Sequence, residues 1–268
     1  KPMLLLKKIQ VTQFKNYGHQ SFAFNQNNVG ICGLNGKGKT NLLDAIYYCC
    51  FTKSYFSGTD ALHTRFGADG FRLEAYFIKE GKEQKLVCIY RGGGKKEIFL
   101  NDVLYEKFSK HIGTFPAVMI APDDIELITG KSEFRRKFID TVLSQLDPGY
   151  LQQLIIYTKV LQQRNSLLKK MDEDKAGSMS VLEILDEQLL IPGNDIHTKR
   201  AAFLKELIPL VQQFYQMIAD HTETIALQYS SQLNDESFHA LLTRNRQKDM
   251  LLQRSNAGIH KDDILFEL

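Results

Sequence analysis

The sequence predicts an α/β fold: a mixed sheet carrying an antiparallel β subdomain, with a helical lobe inserted into it. Three observations point there. A glycine-rich loop lies between an apolar run and a helical pattern at residues 31–46. Several stretches of the first 121 residues alternate apolar and polar side chains with the period of two that marks a half-buried strand. After Pro122 the spacing becomes helical, and strand texture resumes only past His221. The expected organisation is therefore a first lobe at residues 1–121, a helical lobe at 122–222, and a return to the first lobe at 223–268.

Each element follows in order. LLLKKIQVTQF (4–14), QSFAFN (20–25) and NVGIC (28–32) read as strands, the last running straight into the glycine loop. TNLLDAIYYCC (40–50) reads as a helix with Leu42, Leu43, Ile46 and Cys50 on one face. FRLEAYFI (71–78) and KLVCIY (85–90) alternate as strands do, and Asn101-Asp102 inside KKEIFLNDVLY marks a hairpin turn. FPAVMIA (115–121) is a continuous apolar run that suits a strand buried on both faces. SEFRRKFIDTVLSQL (132–146) is helical. So is 148–170, where Leu154, Leu161 and Leu168 recur every seven residues beside Leu151 and Ile155. Asp147-Pro148 is a helix start, because the carboxylate caps free N–H groups and proline tolerates the first helical position. MDEDKAGSMS (171–180) reads as a loop, and 181–221 as a second helical region interrupted or kinked at Pro192-Gly193. TIALQYS (224–230) and DILFEL (263–268) return to strand texture.

Composition narrows the class. Hydrophobic residues make up 43% and charged residues 24%, ordinary values for a globular protein. No run approaches the ~18–20 apolar residues of a membrane span, and the opening three-leucine run is too short for a secretory core, so a cytoplasmic, membrane-free protein is expected. Cys32, Cys49, Cys50 and Cys88 show no C-x-x-C spacing and sit among apolar neighbours, so all four are expected to be buried, reduced thiols. The net charge of +3 is unevenly spread: residues 1–120 hold 17 Lys+Arg against 9 Asp+Glu, and residues 121–268 hold 17 against 22. The excess permits a polyanionic partner on the half that carries the glycine loop.

That loop carries the chemistry. Gly33-Leu34-Asn35-Gly36-Lys37-Gly38-Lys39-Thr40 is G-x-x-x-x-G-K-[ST], followed by Asn41. Glycines let the backbone close around a phosphate with its N–H groups inward, and the helix N-terminus adds about half a unit of positive charge. Lys39 is expected to reach the β- and γ-phosphates and Thr40 to place its hydroxyl on Mg2+. The Asn-Lys-x-Asp element that reads guanine is absent from the sequence, which argues for ATP. Two acidic pairs compete for a metal-holding role. Asp123-Asp124 follow an apolar run, but capping of the next helix is the simpler use. His260, Asp262 and Asp263 offer metal-ligating groups, against a turn with a satisfied histidine near the core. Neither pair makes a convincing Walker B element, and no catalytic residue is assigned.

Beyond the loop, the residues resemble the RecF-type ATPases along nearly the whole chain. Phe14-Lys15-Asn16-Tyr17 is similar to that family's Asn-Phe-Arg-Asn-Tyr segment. Asn35, Asn41, Asp44 and Thr52-Lys53-Ser54 match the surroundings of its phosphate loop. The most specific match is Arg135-Arg136, Asp140, Leu146-Asp147-Pro148, Tyr150, Tyr157 and Gln163-Arg164-Asn165. GIHKDD (258–263) resembles the family's Gly-Pro-His-Arg-Asp-Asp, with Ile259 and Lys261 exchanged.

The resemblance implies a P-loop ABC-type ATPase head, related to SMC proteins, with a helical second lobe. It implies ATP and Mg2+ as cofactors and an ATP-bound homodimer on double-stranded DNA near single-strand gaps. There the family assists RecA loading together with RecO and RecR, and slow hydrolysis ends the DNA-bound state. It also implies a further segment, with a Ser-x-Gly-Gln signature and an acidic Walker B pair, that residues 1–268 do not contain. The chain is accordingly expected to be an N-terminal fragment that binds nucleotide weakly and does not turn it over. Lys53 and Arg65, just past the loop helix on the basic half, are the candidates for DNA phosphates; ordinary solvated surface is the plain alternative. Two other readings stay open: a phosphotransferase whose helical lobe is a lid, needing an arginine cluster such as Arg135-Arg136 near the loop, and the head of another SMC-like protein, needing long coiled-coil heptads.

Overall fold

The computed structural model describes residues 4–171, 176–220 and 223–267. It divides into two compact units, Lys1–Met119 and Ile120–Leu268.

The first unit is an antiparallel sheet with one helix on its inner face. β1 (Leu4–Thr12), β2 (His19–Ala23), β3 (Gly70–Lys79), β4 (Lys82–Arg91), β5 (Lys95–Leu100) and β6 (Val103–Leu104) pair in the order β2-β1-β3-β4-β5-β6. Alternation decides which side is buried. Phe71, Leu73, Ala75 and Phe77 of β3 turn inward beside Ile9 and Val11 of β1, with Cys88 and Ile98 from the next two strands. Helix α1 (Lys39–Phe51) packs on this face and is buried nearly all round. Its Leu42 and Cys50 are in the core, but Leu43, expected on the same face, is 45% exposed. The hairpin at Asn101-Asp102 forms as expected, both residues left-handed at φ 50° and 65°, the pairing that matches strand twist.

Two expected strands are absent. Residues 28–32 and 115–121 enter no sheet among the described residues. Ile31, Ala117 and Met119 still pack against the core, while Val29 and Val118 face outward. An apolar run records which side chains want burial. A strand also needs a neighbouring backbone in register, which such a run does not specify. Of the four cysteines, Cys49, Cys50 and Cys88 are buried, but Cys32 is exposed within the loop entry, contrary to expectation.

The second unit is helical with one small sheet. A short α2 (Glu126–Thr129) leads into α3 (Ser132–Leu146), α4 (Pro148–Lys170) and the 43-residue α5 (Ala176–Ile218); β7 (Ala226–Ser230), α6 (Phe238–Leu252) and β8 (Asp263–Glu267) complete it. Asp147 caps α4 as expected, its carboxylate accepting from the N–H groups of Gly149 and Tyr150. The buried stripe of α4 is Tyr150, Tyr157, Val160, Arg164 and Leu168, so of the leucine heptad only Leu168 is in it, Leu154 and Leu161 lie at its margin, and Ile155 is exposed.

An interruption at Pro192-Gly193 does not occur: α5 runs through Pro192 and Pro209. Leu185, Leu189, Ile196 and Leu204 hold it by burial. Gly193 serves packing instead, since a Cβ there would come within 2.3 Å of the Phe238 ring. Gly258, at φ 125°, meets the same ring from the other side, its absent Cβ 3.1 Å from Phe238 and 2.8 Å from the Tyr157 hydroxyl. The expected loop at 171–180 is helical from Ala176; residues 172–175 lie outside the described residues. β7 and β8 pair with each other and pack Leu227, Tyr229, Ile264 and Phe266 against the helical core. Residues 223–268, expected to return to the first lobe, thus belong to the second unit. Among the described residues no helix is long and apolar enough to cross a membrane.

Candidate nucleotide-binding site

The glycine loop leads into α1, and three of its glycines take backbone conformations with positive φ. Gly33, Gly36 and Gly38 have φ of 146°, 76° and 96°, conformations open to glycine and costly for other residues. Gly38 is the N-cap of α1 and offers no side chain to its first turn, which also holds no acidic residue. The leading N–H groups of a 13-residue helix are therefore left for an external anion. Lys39 donates from Nζ to the carbonyls of Gly33 (2.7 Å) and Leu34 (3.0 Å), so its ammonium lies across the loop. Asn35, Gly36, Lys37 and Thr40 are exposed and Asn41 half-buried. Lys39, Thr40 and the loop thus lie together at the head of α1.

A second stretch buttresses the loop. Tyr17 donates its hydroxyl to the Gly38 carbonyl at 2.9 Å, and Asn41 donates to Asn16 Oδ1 at 2.8 Å. A Cβ on Gly38 would meet the Asn16 amide at 2.6 Å and the Tyr17 ring at 3.0 Å, so glycine here also makes room for its neighbours. One turn into α1, the fully buried Asp44 pairs with Lys15 Nζ at 2.5 Å and accepts from Ser54 Oγ (2.7 Å) and Tyr55 N (2.8 Å). A buried carboxylate persists only when its lone pairs are met in this way. Asn16, Tyr17 and Ser54 carry no signal as site residues in composition or periodicity. Their only trace is the family-like Phe14-Lys15-Asn16-Tyr17 and Thr52-Lys53-Ser54.

For a divalent cation the chain presents the exposed Thr40 in the first turn of α1, and the described residues contain no cluster of three or more His, Cys, Asp or Glu suited to a metal. One hydroxyl fits Mg2+, which keeps several waters and takes phosphate oxygens. Lys53 is exposed beyond the C-terminus of α1. Arg65 is exposed, its N–H bonded to the Gln13 carbonyl at 2.8 Å, and its guanidinium lies where a Gly18 side chain would otherwise be.

The other candidate groups have structural tasks. The Asp124 carboxylate accepts from Ala121 N at 2.7 Å, the capping use. His260 donates from Nε2 to the Ser255 carbonyl (3.2 Å), leaving Nδ1 to accept from the Tyr157 hydroxyl (2.9 Å). Burial pushes its pKa down to about 4, so it is neutral. Asp262 pairs with Arg200 and Asp263 with Arg135. Arg135 also donates to the carbonyls of Leu127 and Gly130, and Arg136 to that of Asp262, so the pair that a phosphotransferase would need is engaged within its own unit.

The comparisons agree with this geometry. Residues 8–254 match an AAA domain family, AAA_23. The DNA replication and repair protein RecF of Flavobacterium johnsoniae is 41% identical over 263 residues, covering 98% of this chain and 73% of that protein. The RecF of Cytophaga hutchinsonii is 38% identical over 264 residues, covering 98% and 70%. A solved structure of the recombination mediator protein RecF with ATP, in the RecFOR pathway, superposes with a TM-score of 0.91 at 29% identity, covering 98% of this chain and 73% of that one. Glycine loop, buttressing turn, helical unit and sequence agree over almost the entire length, and the chain belongs to the RecF family of DNA replication and repair proteins.

Proposed function

We propose that this chain is the nucleotide-holding part of a recombination mediator that works on gapped duplex DNA, with ATP as the switch for a homodimer and RecO and RecR as partners in RecA loading. One observation carries the ATP reading: an uncapped helix N-terminus faced by left-handed Gly36 and Gly38, with Lys39 laid across the loop. The relative solved with ATP supports the same ligand here. The N–H groups of residues 36–40 would hold the phosphates of ATP, together with Lys39 released from the Gly33 and Leu34 carbonyls. Thr40 would hold Mg2+, which would supply charge neutralisation. A nucleotide that favours the dimer shifts that equilibrium by its differential affinity. DNA is met through phosphates, with Lys53 and Arg65 as contacts.

Fluorescent Mg-ATP titration tests the first step. Lys39→Met is expected to weaken binding at least tenfold, and an undiminished affinity removes the site from this role. Sedimentation of a chain extended to the length of its relatives, with ATP, ADP or neither, tests the switch; dimers formed equally in all three exclude it. For DNA, Lys53→Gln and Arg65→Gln should each lower the slope of log K against log salt by about 1. Unchanged slopes return both residues to plain surface.

A further inference from the structure

Behind the phosphate loop the hydrogen bonds close into a ring. Asp44 Oδ2 takes Lys15 Nζ and Ser54 Oγ. Ser54 Oγ accepts from Ser57 N at 3.3 Å, and the Ser57 carbonyl accepts from His63 Nε2 at 3.3 Å. The His63 carbonyl accepts from Lys15 N at 2.7 Å, which returns the chain of bonds to its start. A carbonyl can only accept, so Nε2 carries the proton; burial lowers the His63 pKa and keeps the ring neutral. Two residues on, Arg65 N bonds to the Gln13 carbonyl, which fastens the far end of the same segment.

The ring joins three stretches with different duties. One is the turn at 15–17, whose Asn16 and Tyr17 press on Gly38 and Asn41. The second is α1, whose N-terminus is the phosphate site. The third is residues 54–63, between Lys53 and Arg65. Asp44 is the junction: it is 0% exposed and binds both other stretches. Close-packed, hydrogen-bonded interiors pass displacements on rather than absorbing them. A shift of Gly38 when the loop takes phosphate therefore reaches Asn16 and Tyr17, then Lys15, then Asp44 and Ser54.

We propose that Asp44 is a positioning residue that couples the phosphate loop to residues 53–65, so that filling the loop tightens the segment carrying Lys53 and Arg65. The proposal rests on the nucleotide reading above and adds a coupling that the loop motif does not contain.

Hydrogen–deuterium exchange with and without Mg-ATP tests it on the chain itself, on Asp44→Asn and on Ser54→Ala. In the unsubstituted chain, ATP should slow exchange several-fold in peptides covering 36–41 and also in those covering 54–57. In both variants the response at 36–41 should persist; the response at 54–57 should be lost in Asp44→Asn and at least halved in Ser54→Ala, where Tyr55 N still bonds to Asp44 Oδ1. A 54–57 response that is undiminished in the variants, or that is missing from the unsubstituted chain while 36–41 responds, overturns the coupling. No response at 36–41 in the unsubstituted chain overturns the nucleotide reading itself. If Asp44→Asn proves unfolded by circular dichroism, Ser54→Ala, which leaves the Lys15–Asp44 pair in place, decides the outcome alone.

Discussion

The two units treat charge in opposite ways. In Lys1–Met119 the phosphate loop leaves backbone donors at the head of α1 without a cap and lays Lys39 on weak neutral acceptors. In Ile120–Leu268 two arginines are sunk in the core and surrounded by carboxylates. Arg164, 0% exposed, meets Asp186, Asp249 and Ser255, all at 2.7 Å. Arg200 meets Asp140, Asp262 and the Ile259 carbonyl. Binding a foreign anion calls for donors not already committed to strong partners. Fixing helices against one another calls for the reverse, because a buried charge left without an opposite partner is costly.

That contrast breaks most visibly at Arg200. Arg200→Met leaves Asp140 and Asp262 without their partner, and urea unfolding should show a loss of about 3–5 kcal/mol. A loss below about 1 kcal/mol means that the carboxylates find other donors. Gly193→Ala comes next, because its Cβ overlaps the Phe238 ring and α5 and α6 must separate. About 1–3 kcal/mol is expected in the same measurement.

The third effect depends on pH. His260 titrates near 4 in the fold against 6.5 for its ordinary value, so the unfolded chain binds the extra proton first. Its contribution is complete above pH 6.5 and falls away as pH drops towards 4, by up to about 1.4 kcal/mol per pH unit. His260→Gln should flatten the stability–pH curve across that window, and an unchanged slope assigns it to other groups. Smallest of all, Lys39→Met should alter folding stability by less than about 1 kcal/mol, since the bonds it loses are to half-solvated carbonyls. A larger drop in thermal unfolding would mean that Lys39 holds the loop together and that the contrast between the units is weaker than drawn.

Some of this was legible in the residues and some was not, for physical reasons. Phosphate chemistry dictates glycines, a lysine and a hydroxyl at fixed spacing, so the loop announces itself in eight residues. The Asp147 cap and the Asn101-Asp102 turn are equally local. Asn16 and Tyr17 are different: they matter because they touch Gly38, about twenty residues away, and nothing in their own neighbourhood says so. Pro192-Gly193 misleads for the same reason. Its glycine answers to Phe238, forty-five residues on, and the helix persists because Leu189 and Ile196 are buried on either side. Arg164 stands in register with Tyr150 and Tyr157 at intervals of seven, yet a hydrophobic pattern passes over it, since its burial depends on Asp186 and Asp249 from other helices.

The Phe238 ring, held between Gly193 and Gly258, has a consequence for how the sequence can change. Gly193 cannot acquire a methyl group while the ring is present, Gly258 is kept a glycine by its φ of 125° and the Tyr157 hydroxyl as well, and the ring cannot shrink without opening a void between two bare backbones. Positions 193 and 238 thus share one degree of freedom. A lineage that replaced Phe238 with leucine could tolerate alanine at 193, whereas either change alone would be selected against. In this corner of the helical unit the quantity that drifts is the fit between two residues, and single-site substitution records would miss it.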